Sequence, residues 1–186
     1  MIDMGTGDGR AVLAAAIRDP RTLVLGMDAN AGAMAESSRR AASALRRGGL
    51  PNAAFVVAAA EAIPPELRRL AGLVTVRFPW ASLLRGLVGQ DAAVATGVES
   101  LVAGGGILEL LLAPSARDGL DGVPVDANAI VEAATSTFAA LGLTPSIARP
   151  ATAGEIAASG STWAKRLHSQ RPVDRPVMLI RLVRPT

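Results

Sequence analysis

The chain has 186 residues, 50% of them hydrophobic, and a formal net charge of +3. That is enough for one domain over residues 1–186 with its own core, and too apolar for a disordered segment. It has no cysteine and a single histidine, His168, which excludes disulfides, iron–sulfur clusters, thiolate zinc sites, cysteine nucleophiles and multi-histidine metal centres.

Residues 1–4 are a short apolar run ending at a glycine-rich turn, and 10–18 read as a helix stopped by Asp19-Pro20. Residues 22–27 are a buried strand, 32–47 an alanine-rich helix stopped by Gly48-Gly49, and 53–59 a third strand. A short helix is expected over 64–70 and a fourth strand over 73–78. Residues 82–88 and 91–102 read as helices, 104–106 as a glycine turn, 107–113 as a fifth strand and 115–125 as a loop. A helix over 127–141 follows, then a strand over 144–148, a short helix over 153–158, an irregular stretch over 159–176 and a last strand over 177–183. Repeated strand–helix units mean an α/β fold, with a mostly parallel sheet and helices on both faces. A final strand entered from a non-helical stretch suggests an antiparallel edge hairpin. No signal peptide and no apolar stretch of about 18 residues is visible, so the reading is a cytoplasmic protein with no membrane contact.

The strongest local signal is Asp3-Met4-Gly5-Thr6-Gly7-Asp8-Gly9, which follows an apolar run and opens a helix. Glycines let the backbone turn sharply and approach a ligand closely. Arg10 stands where a dinucleotide fingerprint wants a third small residue, so helix packing against a pyrophosphate is not indicated. An acid just before the loop, Asp3, suits an ammonium better than a phosphate, and Asp8 reads as a loop or cap residue. Asp28 ends the second strand, where Rossmann-like sheets place a carboxylate on ribose hydroxyls; alone it is equally a loop solvator. Glu61 follows the third strand among alanines that leave room for a flat ring, though a helix cap before Pro64 is as good a reading. Together, Asp3, Asp28 and Glu61 describe a site for S-adenosylmethionine.

Charge adds a partner. Residues 161–186 carry Lys165, Arg166, Arg171, Arg175, Arg181 and Arg184 against Asp174 alone, a net +5. This is either the footprint of a polyanion or a solvated arginine-rich tail.

Phe78-Pro79-Trp80-Ala81-Ser82-Leu83-Leu84-Arg85-Gly86, Ser161-Thr162-Trp163-Ala164-Lys165-Arg166-Leu167-His168-Ser169 and Gly48-Gly49-Leu50-Pro51-Asn52 complete the pattern. With the glycine loop and Ala60-Glu61, they closely resemble the kanamycin–apramycin resistance family of 16S ribosomal RNA methyltransferases, which methylate N1 of an adenine in the decoding aminoacyl site. The resemblance spans nearly the whole chain. It implies a Rossmann-like class I methyltransferase fold, S-adenosylmethionine as cofactor, the small ribosomal subunit as partner, aminoglycoside resistance as outcome and no metal. Asp3, Gly5, Thr6 and Gly7 would shape the methionine side of the pocket, Asp28 would bind the ribose, and Ala60 and Glu61 would line the adenine. Trp80 and Trp163 would clamp the extruded target adenine, and Lys165, Arg166 and Arg171 would grip RNA phosphate. Aromatic faces replace the stacking lost by an extruded base, whereas a lone tryptophan is as often core. His168 is not needed as a base, because adenine N1 already offers a lone pair. Family members carry an N-terminal hairpin leading into the first strand. Four residues precede Gly5 here, so the resemblance implies a chain without it. Alternatives are another RNA or a small molecule as substrate, or a cofactor-binding homologue with little or no activity.

Overall fold

The computed structural model describes residues 1–113, 119–160 and 176–186. Its strands are β1 (Ile2–Met4), β2 (Val24–Asp28), β3 (Ala53–Val57), β4 (Ala71–Arg77), β5 (Val102–Leu112), β6 (Thr144–Pro150) and β7 (Met178–Val183). They form one sheet in the order β3-β2-β1-β4-β5-β7-β6. The first five pair in parallel, and β7 runs antiparallel to both β5 and β6. The expected antiparallel edge hairpin is present: β6 and β7 pair antiparallel at the end of the sheet, with β7 between β5 and β6 and β6 outermost.

The helices are α1 (Arg10–Arg18), α2 (Ala31–Ala41), α3 (Ala81–Leu87), α4 (Ala92–Ser100), α5 (Ala127–Ala140) and α6 (Ala153–Ala158). Alternate residues of a strand face opposite sides, and both sides are covered. Met4, Met27, Val74, Val76, Leu108 and Leu110 pack with Leu84 and Leu87 of α3, Val94 and Val98 of α4, and Ile130 and Phe138 of α5. On the other face Val24 meets Val12, Ala15 and Ala16 of α1, and Leu111 and Leu179 meet Ile156 of α6. Each fully buried leucine or phenylalanine contributes about 1.5–3 kcal/mol. No described helix is long and apolar enough to cross a membrane.

Three elements depart from expectation, each for a local reason. Helix α2 stops at Ala41, six residues short of the expected 47, and only a 3-10 turn at Leu45–Arg47 follows. The chain folds back under the helix end: Leu50 N–H donates to the Ala41 carbonyl at 2.9 Å, and a Cβ on Gly49 would lie 1.7 Å from the Ser43 carbonyl oxygen. The helix expected over 64–70 is a single 3-10 turn, Pro65–Leu67, after an earlier one at Ala60–Ala62. Proline suits a helix start, but the chain leaves the turn at Arg68, which is extended, and Arg69 N–H donates to the Ser100 carbonyl at 2.7 Å. Finally, β5 starts at Val102 and runs through the glycines expected as a turn. They form an irregularity in the ladder, so that Ala71 pairs with Val102 but Leu73 with Ile107.

Helix α6 carries a pH-dependent clasp. Thr152 and Glu155 form a reciprocal capping box, and Arg149 donates to both Glu155 carboxylate oxygens at 2.9 and 2.7 Å. The Arg149 bonds, foremost, and the Thr152 backbone N–H lower the Glu155 pKa from 4.5 to about 2. A carboxylate depressed in the folded state stabilises above its unfolded pKa and loses that contribution as pH falls through the folded one. Protection of the Thr152 amide, its exchange taken relative to the intrinsic rate at each pH, should therefore be high above pH 4.5 and fall as the pH approaches 2. In Glu155→Gln, where a neutral amide can still close the capping box, that protection should be independent of pH across the window.

Candidate active site

The strand order reverses between β1 and β4, since β1 leads through α1 to β2 on one side while β4 returns on the other. At such a switch point the loops leaving adjacent strands diverge and open a crevice at the carboxyl ends. A cavity of about 500 Å³ lies there, lined by the segments that follow β1, β2, β3 and β4.

The loop after β1 is pinned from beneath. Gly5 and Thr6 N–H groups donate to the Met27 carbonyl at 2.8 and 3.1 Å. Gly7 N–H donates to Asp28 Oδ2 at 2.9 Å, and Asn30 N–H to Oδ1 at 2.8 Å. Asp28 thus fixes the glycine loop and still has lone pairs for a diol, since a carboxylate accepts about four hydrogen bonds. Gly9 does the helix packing that the sequence did not assign. It sits at φ +72, and a Cβ there would lie 2.5 Å from a Phe55 ring carbon and 2.9 Å from the Ser37 side chain. Asp8 is a loop residue as expected, accepting from Arg10 N–H at 3.1 Å.

Asp3 lines the cavity but is only 3% exposed. Its Oδ1 accepts from Thr75 Oγ1 at 2.5 Å and from Arg77 at 2.9 Å, and its Oδ2 accepts from Thr6 Oγ1 at 2.9 Å. Strand register sets this up, because Asp3 lies directly beside Thr75 and Arg77 follows two residues on, facing the same side. The expected free anion is therefore an anchored, ion-paired one, and Thr6 reaches the site through it. Thr75 and Arg77 escaped the sequence reading. The signal was present as two polar residues spaced by two in the otherwise apolar strand Ala71–Arg77.

Ala60 and Glu61 sit in the first 3-10 turn and both line the cavity. Glu61 is exposed, and the turn at Pro65–Leu67 has no side-chain cap, which removes the capping alternative. Ala60 is buried against α4, where Gly97 leaves space for its carbonyl.

Trp80 lines the opposite lip and is 51% exposed. Phe78 and Ala81, on either side of Pro79-Trp80, have φ +51 and +50, a left-handed geometry that costs a non-glycine residue about 1–2 kcal/mol. Anchors on both sides hold the loop in this shape. Phe78 N–H donates to the Leu111 carbonyl at 2.9 Å and its ring packs on the Leu111 cluster. Leu83 reaches the glycine loop so closely that a Cβ on Gly5 would lie 2.6 Å from its Cδ2. Trp163, Lys165, Arg166, His168 and Arg171 lie outside the described residues.

Residues 1–182 match the family described as NpmA: 16S rRNA (adenine(1408)-N(1))-methyltransferase. The chain belongs to this family. It is 30% identical over 181 residues to the enzyme of that name from Streptoalloteichus tenebrarius, an alignment covering 92% of this chain and 81% of the relative. A relative of the same name from Escherichia coli is 36% identical over 100 residues, 54% of this chain and 46% of that protein. A mutant of the Catenulisporales acidiphilia 16S rRNA (adenine(1408)-N(1))-methyltransferase, solved with cosubstrate SAM, superposes with a TM-score of 0.85 at 31% identity, covering 100% of this chain and 85% of that one. The aminoglycoside resistance methyltransferase NpmB1 gives 0.77 at 37% identity, covering 98% and 85%.

Members of this family use S-adenosylmethionine, and the residues present suit it. The glycine turn leaves backbone N–H groups and no side chains at the rim, Asp28 can accept from two hydroxyls, and Ala59, Ala60 and Glu61 line one side of the cavity with small side chains and one carboxylate. Among the described residues no acid or histidine cluster could hold a metal. Asp28→Ala should weaken binding of S-adenosylmethionine by roughly 1–3 kcal/mol, through loss of charge-assisted bonds and of the Gly7 staple. Calorimetry checks this, and an unchanged affinity would remove Asp28 from the site.

Proposed function

We propose that this protein methylates N1 of adenine 1408 of 16S rRNA in the small ribosomal subunit, in the cytoplasm, and so protects the ribosome from aminoglycosides. The observation that carries the proposal is one cavity bounded on one side by the glycine loop, Asp28 and Glu61 and on the other by the exposed Trp80. When bound, S-adenosylmethionine supplies an electrophilic methyl group on its sulfonium.

The chain's own residues supply position. The Asp28-stapled loop and the Ala60–Ala62 turn fix one reactant, and Trp80 offers a π-face to the other, an adenine extruded from its stack. To Trp163 we assign stacking on the adenine's second face, and to Lys165, Arg166 and Arg171 the neutralising of phosphates. Adenine N1 attacks with its own lone pair, so no residue has to remove a proton first. The positive charge leaves sulfur and appears on the methylated ring, and catalysis is chiefly alignment of nucleophile and methyl.

The test is methyl transfer from labelled S-adenosylmethionine to isolated small subunits, mapped by reverse transcription. Label at adenine 1408, blocked when that base is already methylated, is expected. Label elsewhere, or none with cofactor bound, would overturn the assignment.

A further inference from the structure

We propose that Arg77 selects for cofactor molecules carrying an intact α-carboxylate, reading that group while Asp3 takes the neighbouring ammonium. The proposal rests on the reading of the cavity as an S-adenosylmethionine site.

Two observations carry it. First, the side chain of Arg77 is only 10% exposed, yet its one hydrogen bond among the described residues is from Nη1 to Asp3 Oδ1 at 2.9 Å. Its Nε is buried with no partner. A guanidinium has five N–H donors in a rigid fork, and buried donors without acceptors are costly. The remaining donors therefore call for an acceptor, and Arg77 lines the cavity. Second, among the described residues the charges lining that cavity are Asp3, Asp8, Asp28 and Glu61 against Arg77. An anionic group on a ligand is repelled by four carboxylates and has one cation to face. A planar carboxylate also matches the arginine fork.

Asp3 and Arg77 are then a matched pair for a zwitterion. Oδ1 of Asp3 is filled by Thr75 and Arg77, whereas Oδ2 accepts, among the described residues, from Thr6 and keeps a lone pair for an ammonium. The ion pair already present places the two charges side by side, as an α-amino acid does. Reorganisation on binding is small, because the pair is held by strand register and by two threonine hydroxyls.

The experiment is calorimetry of the full chain with three ligands: S-adenosylmethionine, its decarboxylated form and 5′-methylthioadenosine, which lacks the amino-acid end. Wild type is expected to prefer the intact cofactor to the decarboxylated one by at least tenfold. Arg77→Gln, which can still donate to Asp3 but has no charge, should bring that ratio close to one while methylthioadenosine affinity stays within twofold. Arg77→Lys keeps a cation beside Asp3 without the fork. It should lose most of the preference, and it carries the test if the glutamine variant does not fold. A wild type that binds intact and decarboxylated forms equally overturns the proposal. So does a variant that loses all three ligands in equal measure, which would make Arg77 a structural prop for the loop, or one that keeps the ratio. If wild type binds none of the three, the reading of the cavity fails with it, and that is seen before any variant is made.

Discussion

Trp80→Ala is expected to lower methylation of small subunits by about 10- to 100-fold while leaving S-adenosylmethionine affinity within about twofold. Stacking on an aromatic face contributes about 1–3 kcal/mol per base, and each 1.4 kcal/mol is a factor of ten. The cofactor side should be spared, because the residues proposed to hold it are the glycine loop, Asp28 and the Ala60–Ala62 turn, on the other side of the cavity. Stability should also be spared. Trp80 is 51% exposed, so truncation forfeits little burial, whereas a core tryptophan would cost about 3–5 kcal/mol. Trp80→Phe should be intermediate, since a smaller ring keeps a π-face. A melting temperature that falls steeply with the alanine variant, or methylation that continues at the wild-type rate, would make Trp80 a packing residue and remove it from the base-binding surface.

What was legible in the sequence is what depends on residue type at a local position. The glycine loop and Asp28 at a strand end announce themselves by spacing, Trp80 through the resemblance of its segment to the family, and the structure brings them to one cavity. What was not legible depends on partners distant in sequence. Asp3 looked free because its partners, Thr75 and Arg77, are 72 and 74 residues away and meet it only through the β1–β4 register. Gly9 looked ordinary because the ring that forbids a side chain there belongs to Phe55, across on β3. The passage of β5 through three glycines has the same origin, since its partner β4 lies about thirty residues earlier, whereas α2 ends early through nearby contacts, Leu50 with Ala41 and Gly49 with Ser43. Local propensity favours turn in the first and helix in the second, and contacts outside the element override both. The place of β7 inside the sheet was invisible for a similar reason, since strand order is a property of pairing and not of any one strand.

Gly97→Ala should be strongly disruptive, with a backbone clash as close as the one at Gly49. Gly97 lies on α4, and an added Cβ would sit 1.7 Å from the Ala60 carbonyl oxygen and 2.8 Å from its carbon. Contacts under 3 Å demand movement, and neither partner moves freely. Helix α4 is held by Val94 and Val98, 1% and 0% exposed, by the Asp91 side chain capping its first turn at 3.0 and 3.2 Å, and by Glu99, which pairs with both Arg69 and Arg184. The Ala60 turn is the softer side, having few hydrogen bonds of its own and an exposed Glu61 next along the chain. The overpacking should cost about 1–3 kcal/mol or more in denaturant unfolding, and the strain should be relieved by displacing the turn. Because Ala60 and Glu61 line the cofactor cavity, affinity for S-adenosylmethionine should fall in the same variant, by about tenfold, although residue 97 does not itself line the cavity. Gly72→Ala is the matched control. That glycine has nothing within 4 Å of an added Cβ, so stability should change by no more than about 0.5 kcal/mol and cofactor binding not at all. A Gly97→Ala protein with wild-type stability and wild-type cofactor affinity would show that α4 does not set the position of the turn, and that the Ala60–Glu61 side of the cavity is held by something other than this contact.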